Sequence, residues 1–217
     1  MKKVLKSLSL ICLAVLMVCP LMLAGCAKNY TISVQMTGNG QINQVTDGIV
    51  SATNVVGANK VKEGAWFEVA ITPDTGYTIA EVLIDGEKFT ETYEKTGFRY
   101  AFEDVSKNHT IAVTFEAIDR HVRFECLDEG SSVYVLYNQT LTKGTETILQ
   151  NGIATVKHGS VLNLAEDFAY GTGAGQIHWV VWTGTQEIEL APQTTINGDL
   201  TIRVNMTKAQ LDAILLG

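Results

Sequence analysis

Histidine side chains are the residues of this chain whose chemistry could hold a metal or move a proton. There are four, widely spaced along the sequence: His109, His121, His158 and His178. A strand would place Asp119 and His121 on one face, but two ligands do not complete a metal site. The chain contains neither the Gly-x-Ser-x-Gly nor the Ser-x-x-Lys pattern of a nucleophilic serine. We therefore predict no catalytic residue, no metal site, no cofactor and no enzymatic activity.

The cysteine at position 126 offers a second kind of chemistry, that of a nucleophilic thiol. It alternates with Val122 and Phe124, which places it on the apolar face of a predicted strand. A reactive cysteine needs an accessible, electropositive setting, whereas a thiol on an apolar face is structural. We predict the structural role for Cys126 and keep a catalytic pair with a remote histidine as the alternative.

Two tryptophans are the residues best suited to binding. In residues 66–71 the apolar face is formed by every second residue from Phe67, which leaves Trp66 on the opposite face. In residues 177–182 the same alternation leaves Trp182 opposite Trp179. An exposed tryptophan on a sheet can stack against a sugar or anchor a protein interface. We predict that Trp66 and Trp182 bind a ligand; the alternative is that the other module or loops cover them.

The N-terminal segment carries a different chemistry. Lys2, Lys3 and Lys6 precede an apolar run of 16 residues, and Leu-Ala-Gly-Cys follows at residues 23–26. A positive start, an apolar middle and small residues at the end are typical of a secretory signal. The final tetrapeptide resembles the lipobox of bacterial lipoproteins, in which the cysteine is acylated and becomes the first residue. The resemblance implies that residues 1–25 are a signal peptide and that Cys26 is lipidated, with acyl chains such as palmitate.

An ordinary secretory peptide and an uncleaved membrane helix are the alternatives for this segment. The apolar run is shorter than the roughly 20 residues that a spanning helix needs, and Pro20 would disturb such a helix. The lipoprotein interpretation therefore predicts a protein of the cell envelope, held on the extracytoplasmic side of a membrane by the acyl chains of Cys26.

The charge of the chain limits its partners. The whole chain has a net charge of −7, and without residues 1–25 it keeps 13 basic and 23 acidic residues, a net charge of −10. A protein this acidic is not expected to bind nucleic acid or to be attracted to anionic lipid headgroups. The acyl chains of Cys26 must therefore provide the anchor. Only residues 27–29 separate Cys26 from the first predicted strand, a reach of roughly 10 Å. We predict an envelope protein or glycan close to the membrane as the partner.

Short strands must position these residues. Apolar and polar residues alternate, as in half-buried strands, at residues 30–36, 67–71, 98–102, 109–115, 122–126 and 200–206. Turn-forming pairs such as Asp47-Gly48 and Asn151-Gly152 separate them. Residues 133–137 are apolar throughout and predict a strand covered on both faces. The tail, with Thr207 as N-cap and Leu211, Ile214 and Leu215 as an apolar stripe, predicts a short helix. We predict an all-β (mainly β) fold with a short C-terminal helix.

An internal repeat organises these strands. Residues 32–34 align with 124–126, residues 61–64 with 156–159, and residues 109–113 with 200–204, at offsets of 92, 95 and 91. The repeat predicts a module at 30–117 and a second at 118–206, preceded by the lipidated N-terminus and linker 26–29 and followed by the tail 207–217.

The order of motifs in the first module is similar to that of a known repeat. Residues 61–64 (Val-Lys-Glu-Gly), 73–77 (Pro-Asp-Thr-Gly-Tyr) and 109–115 (His-Thr-Ile-Ala-Val-Thr-Phe) resemble the internalin-type B-repeat of bacterial surface proteins. The second module keeps the turn at 156–159, a Trp-Thr-Gly at 182–184 and the closing strand, but lacks the Pro-Gly-Tyr segment.

This resemblance implies two tandem small β-sheet modules of β-grasp-like or meander type. They would act at the cell surface as binding modules or as spacers, without catalysis. A glycan-binding accessory module of a polysaccharide-using system is the alternative. A small envelope hydrolase is a third hypothesis, which needs a cleft that gathers His, Asp and Ser side chains.

Overall fold

The computed structural model describes residues 28–143, 145–163, 178–191 and 193–215. The predicted signal peptide of residues 1–25 and the predicted lipidation site Cys26 lie outside the described residues. The chain divides into two compact units. Among the described residues, the first comprises 28–37, Gln41–Thr72 and Glu81–Thr114, and the second comprises Gly38–Gly40, Pro73–Ala80 and those from Phe115 onward.

The described residues form nineteen strands and one helix, so the prediction of an all-β fold with a short C-terminal helix is confirmed. The first strand set contains β1 (Asn29–Thr37), β2 (Gly40–Thr46), β3 (Ile49–Ala52), β4 (Gly57–Lys62), β5 (Phe67–Pro73), β6 (Tyr77–Ile84), β7 (Glu87–Lys88), β8 (Phe98–Phe102) and β9 (His109–Ala117). The second strand set contains β10 (Asp119–Leu127), β11 (Tyr134–Leu136), β12 (Leu141–Lys143), β13 (Glu146–Leu149), β14 (Ile153–Lys157), β15 (Ser160–Asn163), β16 (Trp179–Trp182), β17 (Glu187–Glu189), β18 (Gln193–Ile196) and β19 (Leu200–Thr207), followed by α1 (Lys208–Leu215).

The two strand sets share one sheet topology. In the first set the main sheet has the order β4-β1-β9-β6-β7, and in the second it has the order β11-β10-β19-β16-β17 with β14 also paired to β10. With β14 in the place of β4, the two orders correspond strand for strand. In each sheet the first and last strands of the set lie side by side and run parallel. The remaining strands form the smaller sheets β3-β2-β5-β8, β12-β13 and β15-β18.

The strand register gives the spacing of the repeat. Ile32 pairs with His109 in the first set, and Val122 pairs with Leu200 in the second. The equivalent of Ile32 is therefore Val122, an offset of 90. The alignment of the two repeats by sequence predicts Phe124 instead. The two alignments differ by two residues, and a shift of two keeps every side chain on its own face of the strand. Alternation alone therefore cannot distinguish them.

Two backbone contacts recur in the strand sets. The side-chain oxygen of Asn108 accepts the Thr31 N–H at 2.9 Å, and that of Asp199 accepts the His121 N–H at 3.0 Å. In both sets a glycine N–H also donates to a backbone carbonyl. Gly64, after β4, donates to Val105, which precedes β9, and Gly159, after β14, donates to Ile196, which precedes β19. These glycines have φ of 76° and 81°, the left-handed conformation that such tight turns require.

Side-chain alternation fills the interiors. The buried residues on the central strands include Ile32, Val34, Ile111 and Val113 in the first set and Val122, Phe124, Cys126, Ile202 and Val204 in the second. Cys126 is free and fully buried, so its predicted place on the apolar face is confirmed. Burial raises the pKa of its thiol, which favours the protonated form.

The C-terminal helix α1 is capped as its sequence predicts. The Gln210 N–H donates to the Thr207 hydroxyl, and the Gln210 side chain accepts the Thr207 N–H at 2.9 Å, which is a capping box. Leu211 and Leu215 are buried, and Ile214 packs against the same cluster. Among the described residues, no helix combines the length and the hydrophobicity that a membrane span requires.

One strand prediction is wrong. Residues 133–137 do not form a strand covered on both faces, because Val133 is 62% exposed and Val135 is 38% exposed. The strand there, β11, is the last strand on one side of its sheet. An edge strand has a neighbour on one side only, so its apolar side chains remain accessible.

Candidate functional site

Trp66 lies between the turn at Gly64 and the start of β5. Phe67, Val69 and Ile71 are buried along this strand. Trp66 is 65% exposed, as its predicted position opposite the apolar face requires. A tryptophan of this exposure presents a large flat surface to solvent, and no described ring stacks on it.

A groove of about 400 Å³ lies beside this ring, and we call it the first groove. Its lining contains amides, ammonium groups and apolar carbons: Gln44, Ala58, Asn59, Lys60, Val61, Lys62, Ala65, Trp66 and Phe67. The Asn59 amide is held in place because it donates to the Val55 carbonyl at 2.8 Å. The volume falls within the range of roughly 300–1,000 Å³ that is typical of ligand sites.

Trp182 has a different environment, at the end of β16 in the second unit. Trp179 on the same strand packs against the core and forms a T-shaped contact with the Phe124 ring, so Trp182 points to the opposite face. Trp182 is half-buried, because the Arg203 guanidinium lies 4.1 Å from the centre of its ring. The guanidinium also lies 4.5 Å from the centre of the Tyr134 ring. The covering group is therefore a cation of the same sheet.

Glu125 holds this cation in place. Arg203 is directly opposite Glu125 in the β10–β19 register, and its Nε donates to the carboxylate at 2.9 Å. Arg123 Nε donates to the other carboxylate oxygen at 2.8 Å. Burial opposes the charge of Glu125, but the hydrogen bonds from Arg203 and Arg123 outweigh it and hold the pKa of the carboxyl below its ordinary 4.5. Sequence reasoning missed this cluster because it requires knowledge that β10 lies beside β19.

The lowered pKa of Glu125 gives a pH dependence. Its contribution to stability is complete above pH 4.5 and is lost as the pH falls through the folded-state pKa. At neutral pH, Glu125→Gln is expected to cost about 2 kcal/mol, since it replaces charge-assisted hydrogen bonds with neutral ones. Urea unfolding of both proteins should show a difference that shrinks steadily on acidification below about pH 4.5. A difference that stays constant down to about pH 3 would contradict this assignment.

A second groove, of about 510 Å³, lies beside Trp182. Its lining carries hydrogen-bonding groups of several kinds: His121, Arg123, Ile153, Trp182, Thr183, Gly184, Asp199, Leu200 and Thr201. Its charged groups already have partners, because Arg123 is paired with Glu125 and the Asp199 side chain accepts the His121 N–H.

The histidines have different surroundings in the structure. His109 is hydrogen-bonded to Asp85 at 2.8 Å, and His178 lies 3.9 Å from Glu189. Asp119 is paired with Lys157 at 2.9 Å, whereas His121 lines the second groove. Within the described ranges, no three His, Cys, Asp or Glu side chains are grouped as metal ligands.

No family model matches this chain, and no curated protein is significantly similar to it. Among solved structures, the chain matches the major pilin of Streptococcus pyogenes (E117A mutant) with 9% identity and a TM-score of 0.23. The match covers 82% of this chain and 96% of the pilin. A TM-score this low does not establish a common fold, and no function is transferred from it. The resemblances to bacterial lipoproteins and to B-repeats remain predictions.

Proposed function

We propose that this protein is a lipid-anchored component of a bacterial cell envelope whose two β units bind a partner without catalysing a reaction. The observation that carries the binding proposal is that each unit has a groove lined by one of the two predicted tryptophans. The sequence of residues 23–26 supports the anchor.

The chemistry of the two grooves suits binding. An indole ring supplies a flat apolar surface, and amide, hydroxyl and charged groups beside it supply directional hydrogen bonds. Trp66 stands free in the first groove, whereas Arg203 fixes the orientation of Trp182 in the second. A ring that is already fixed loses less conformational entropy when a ligand binds.

The start of β1 supports a partner close to the membrane. Asn29, the first residue of β1, pairs with Lys62 at the end of β4, and Lys62 lines the first groove. Asn29 lies three positions after Cys26, a reach of roughly 10 Å. If Cys26 carries the lipid, the first groove lies within a short distance of the bilayer surface.

Binding can be tested with the full chain purified in detergent from a bacterial membrane. We expect it to retain a purified glycan or a purified envelope protein, and we expect Trp66→Ala or Trp182→Ala to weaken retention by about thirtyfold, the effect of losing an aromatic anchor. Val133→Ala is the matched control, because Val133 is an exposed apolar residue outside both grooves. Equal retention by all variants would refute the assignment of the grooves.

The glycan-binding accessory module is the second candidate, and the free ring of Trp66 favours it. A sugar ring stacks on an open indole face, and Trp66 presents one at 65% exposure. Retention of purified polysaccharide by the full chain would support this function. Retention that is restricted to envelope proteins would exclude it.

A further inference from the structure

Two lysines of the first groove have unusual surroundings. Lys60 and Lys62 are exposed on β4 and both line the groove beside Trp66. They alternate with the buried Val61, so they project to the same side of the strand, roughly 6.6 Å apart along it. Neither makes an ion pair with any described residue. Other cations of this unit do have partners: Lys88 pairs with Glu81, Arg99 with Glu68 and Lys107 with Asp85.

The groove is basic in an acidic protein. None of the nine lining residues is Asp or Glu, whereas the chain after residue 25 has a net charge of −10. The acids that neighbour the groove in the sequence have other partners: Glu63 accepts a hydrogen bond from the Tyr30 hydroxyl, and Glu68 lies 3.6 Å from Arg99. Positive charges that line a concave surface attract an anion more strongly than the same charges on a flat surface.

The second groove provides the contrast. There Arg123 is neutralised by Glu125, and Asp199 is itself part of the lining. The two grooves therefore share a tryptophan and differ in charge, which predicts different ligand preferences for them.

We infer that the first groove binds an anionic glycan, a saccharide chain that carries carboxylate or phosphate groups. Such a chain stacks a sugar ring on Trp66 and places successive anionic groups on Lys60 and Lys62. The inference rests on the proposed binding function and specifies its ligand class. A discrete chain fits better than a flat lipid surface, because the lysines and the ring line one recess of about 400 Å³.

The test uses the full chain in nanodiscs of phosphatidylcholine, titrated calorimetrically with polygalacturonate, phosphomannan and neutral dextran. We expect both anionic glycans to bind and dextran to bind at least about tenfold more weakly. The double variant Lys60→Gln/Lys62→Gln should weaken anionic binding by about tenfold or more and flatten its dependence on salt. Lys88→Gln, which removes an exposed charge outside the groove, should leave both unchanged.

Each alternative outcome has a defined meaning. If dextran or an envelope protein binds the wild type and the double variant equally, the assignment of an anionic glycan as the ligand is wrong, and the proposed binding function stands. If no glycan and no envelope protein binds, the binding function itself fails. Nanodiscs that contain brominated phosphatidylglycerol test the membrane as the alternative ligand. If the brominated lipid quenches tryptophan fluorescence, if Trp66→Phe removes that quenched fluorescence and if added glycan does not change the quenching, the lysines face the membrane and the inference is overturned.

Discussion

Cys26→Ser is expected to abolish the incorporation of fatty acid into this protein. The thiol of Cys26 is the proposed acyl acceptor, and a serine hydroxyl in its place offers no thioether. Two or more acyl chains are needed for stable anchoring, so removal of this one acceptor removes the whole lipid attachment. Metabolic labelling with radioactive palmitate, followed by intact-mass measurement, gives a direct readout.

Cys19→Ser is the matched control, because Cys19 lies in the apolar run seven residues before Cys26. It should be labelled as strongly as the wild type. The mass of the wild-type protein also separates the three interpretations of the segment. A lipidated chain starting at Cys26 supports the proposal, whereas a shortened chain without lipid or an uncleaved chain excludes it. Label retained by Cys26→Ser would exclude it as well.

Gly152→Ala is expected to destabilise the second unit by about 3 kcal/mol or more. Asn151 and Gly152 form the predicted turn before β14, with φ of 51° and 79°. An added Cβ at Gly152 would lie 2.5 Å from the Tyr137 carbonyl oxygen. The turn cannot retreat freely, because Gly152 donates to the Gln139 carbonyl and accepts from the Phe124 N–H.

The size of this effect is checked against Gly159→Ala. Gly159 has a nearly equal φ of 81°, but no atom lies within 4 Å of the position of its added Cβ. It should cost only the roughly 1–2 kcal/mol of a left-handed alanine. Urea unfolding followed by circular dichroism gives both values. Equal losses for the two variants would show that the contact at Tyr137 does not matter.

The sequence was sufficient for features that depend on neighbouring residues. Alternation predicts which side chain of β5 or β10 is buried, because successive side chains of a strand point to opposite faces. The turn at Asn151-Gly152 and the cap at Thr207 are equally local, and the structure contains both. The exposed position of Trp66 follows from the same alternation.

The features that the sequence did not predict depend on strands that are distant in the chain. Nothing in β10 alone indicates that Glu125 lies opposite Arg203, so the cation over Trp182 could not be predicted. The exposure of Val135 depends on β11 being an edge strand, which an apolar run does not reveal. That no described acid pairs with Lys60 or Lys62 likewise depends on which acids the fold brings near.

The parallel pairing of β1 with β9 has a mechanical consequence. A stretching force carried by the chain enters β1 at Asn29 and leaves β9 at Ala117, so the two strands are pulled in opposite directions along their length. The pairs from Ile32–His109 to Thr37–Thr114 are then loaded in shear, all at the same time, and do not open one after another. Since β10 and β19 are also parallel, the second strand set resists tension along the chain by the same geometry.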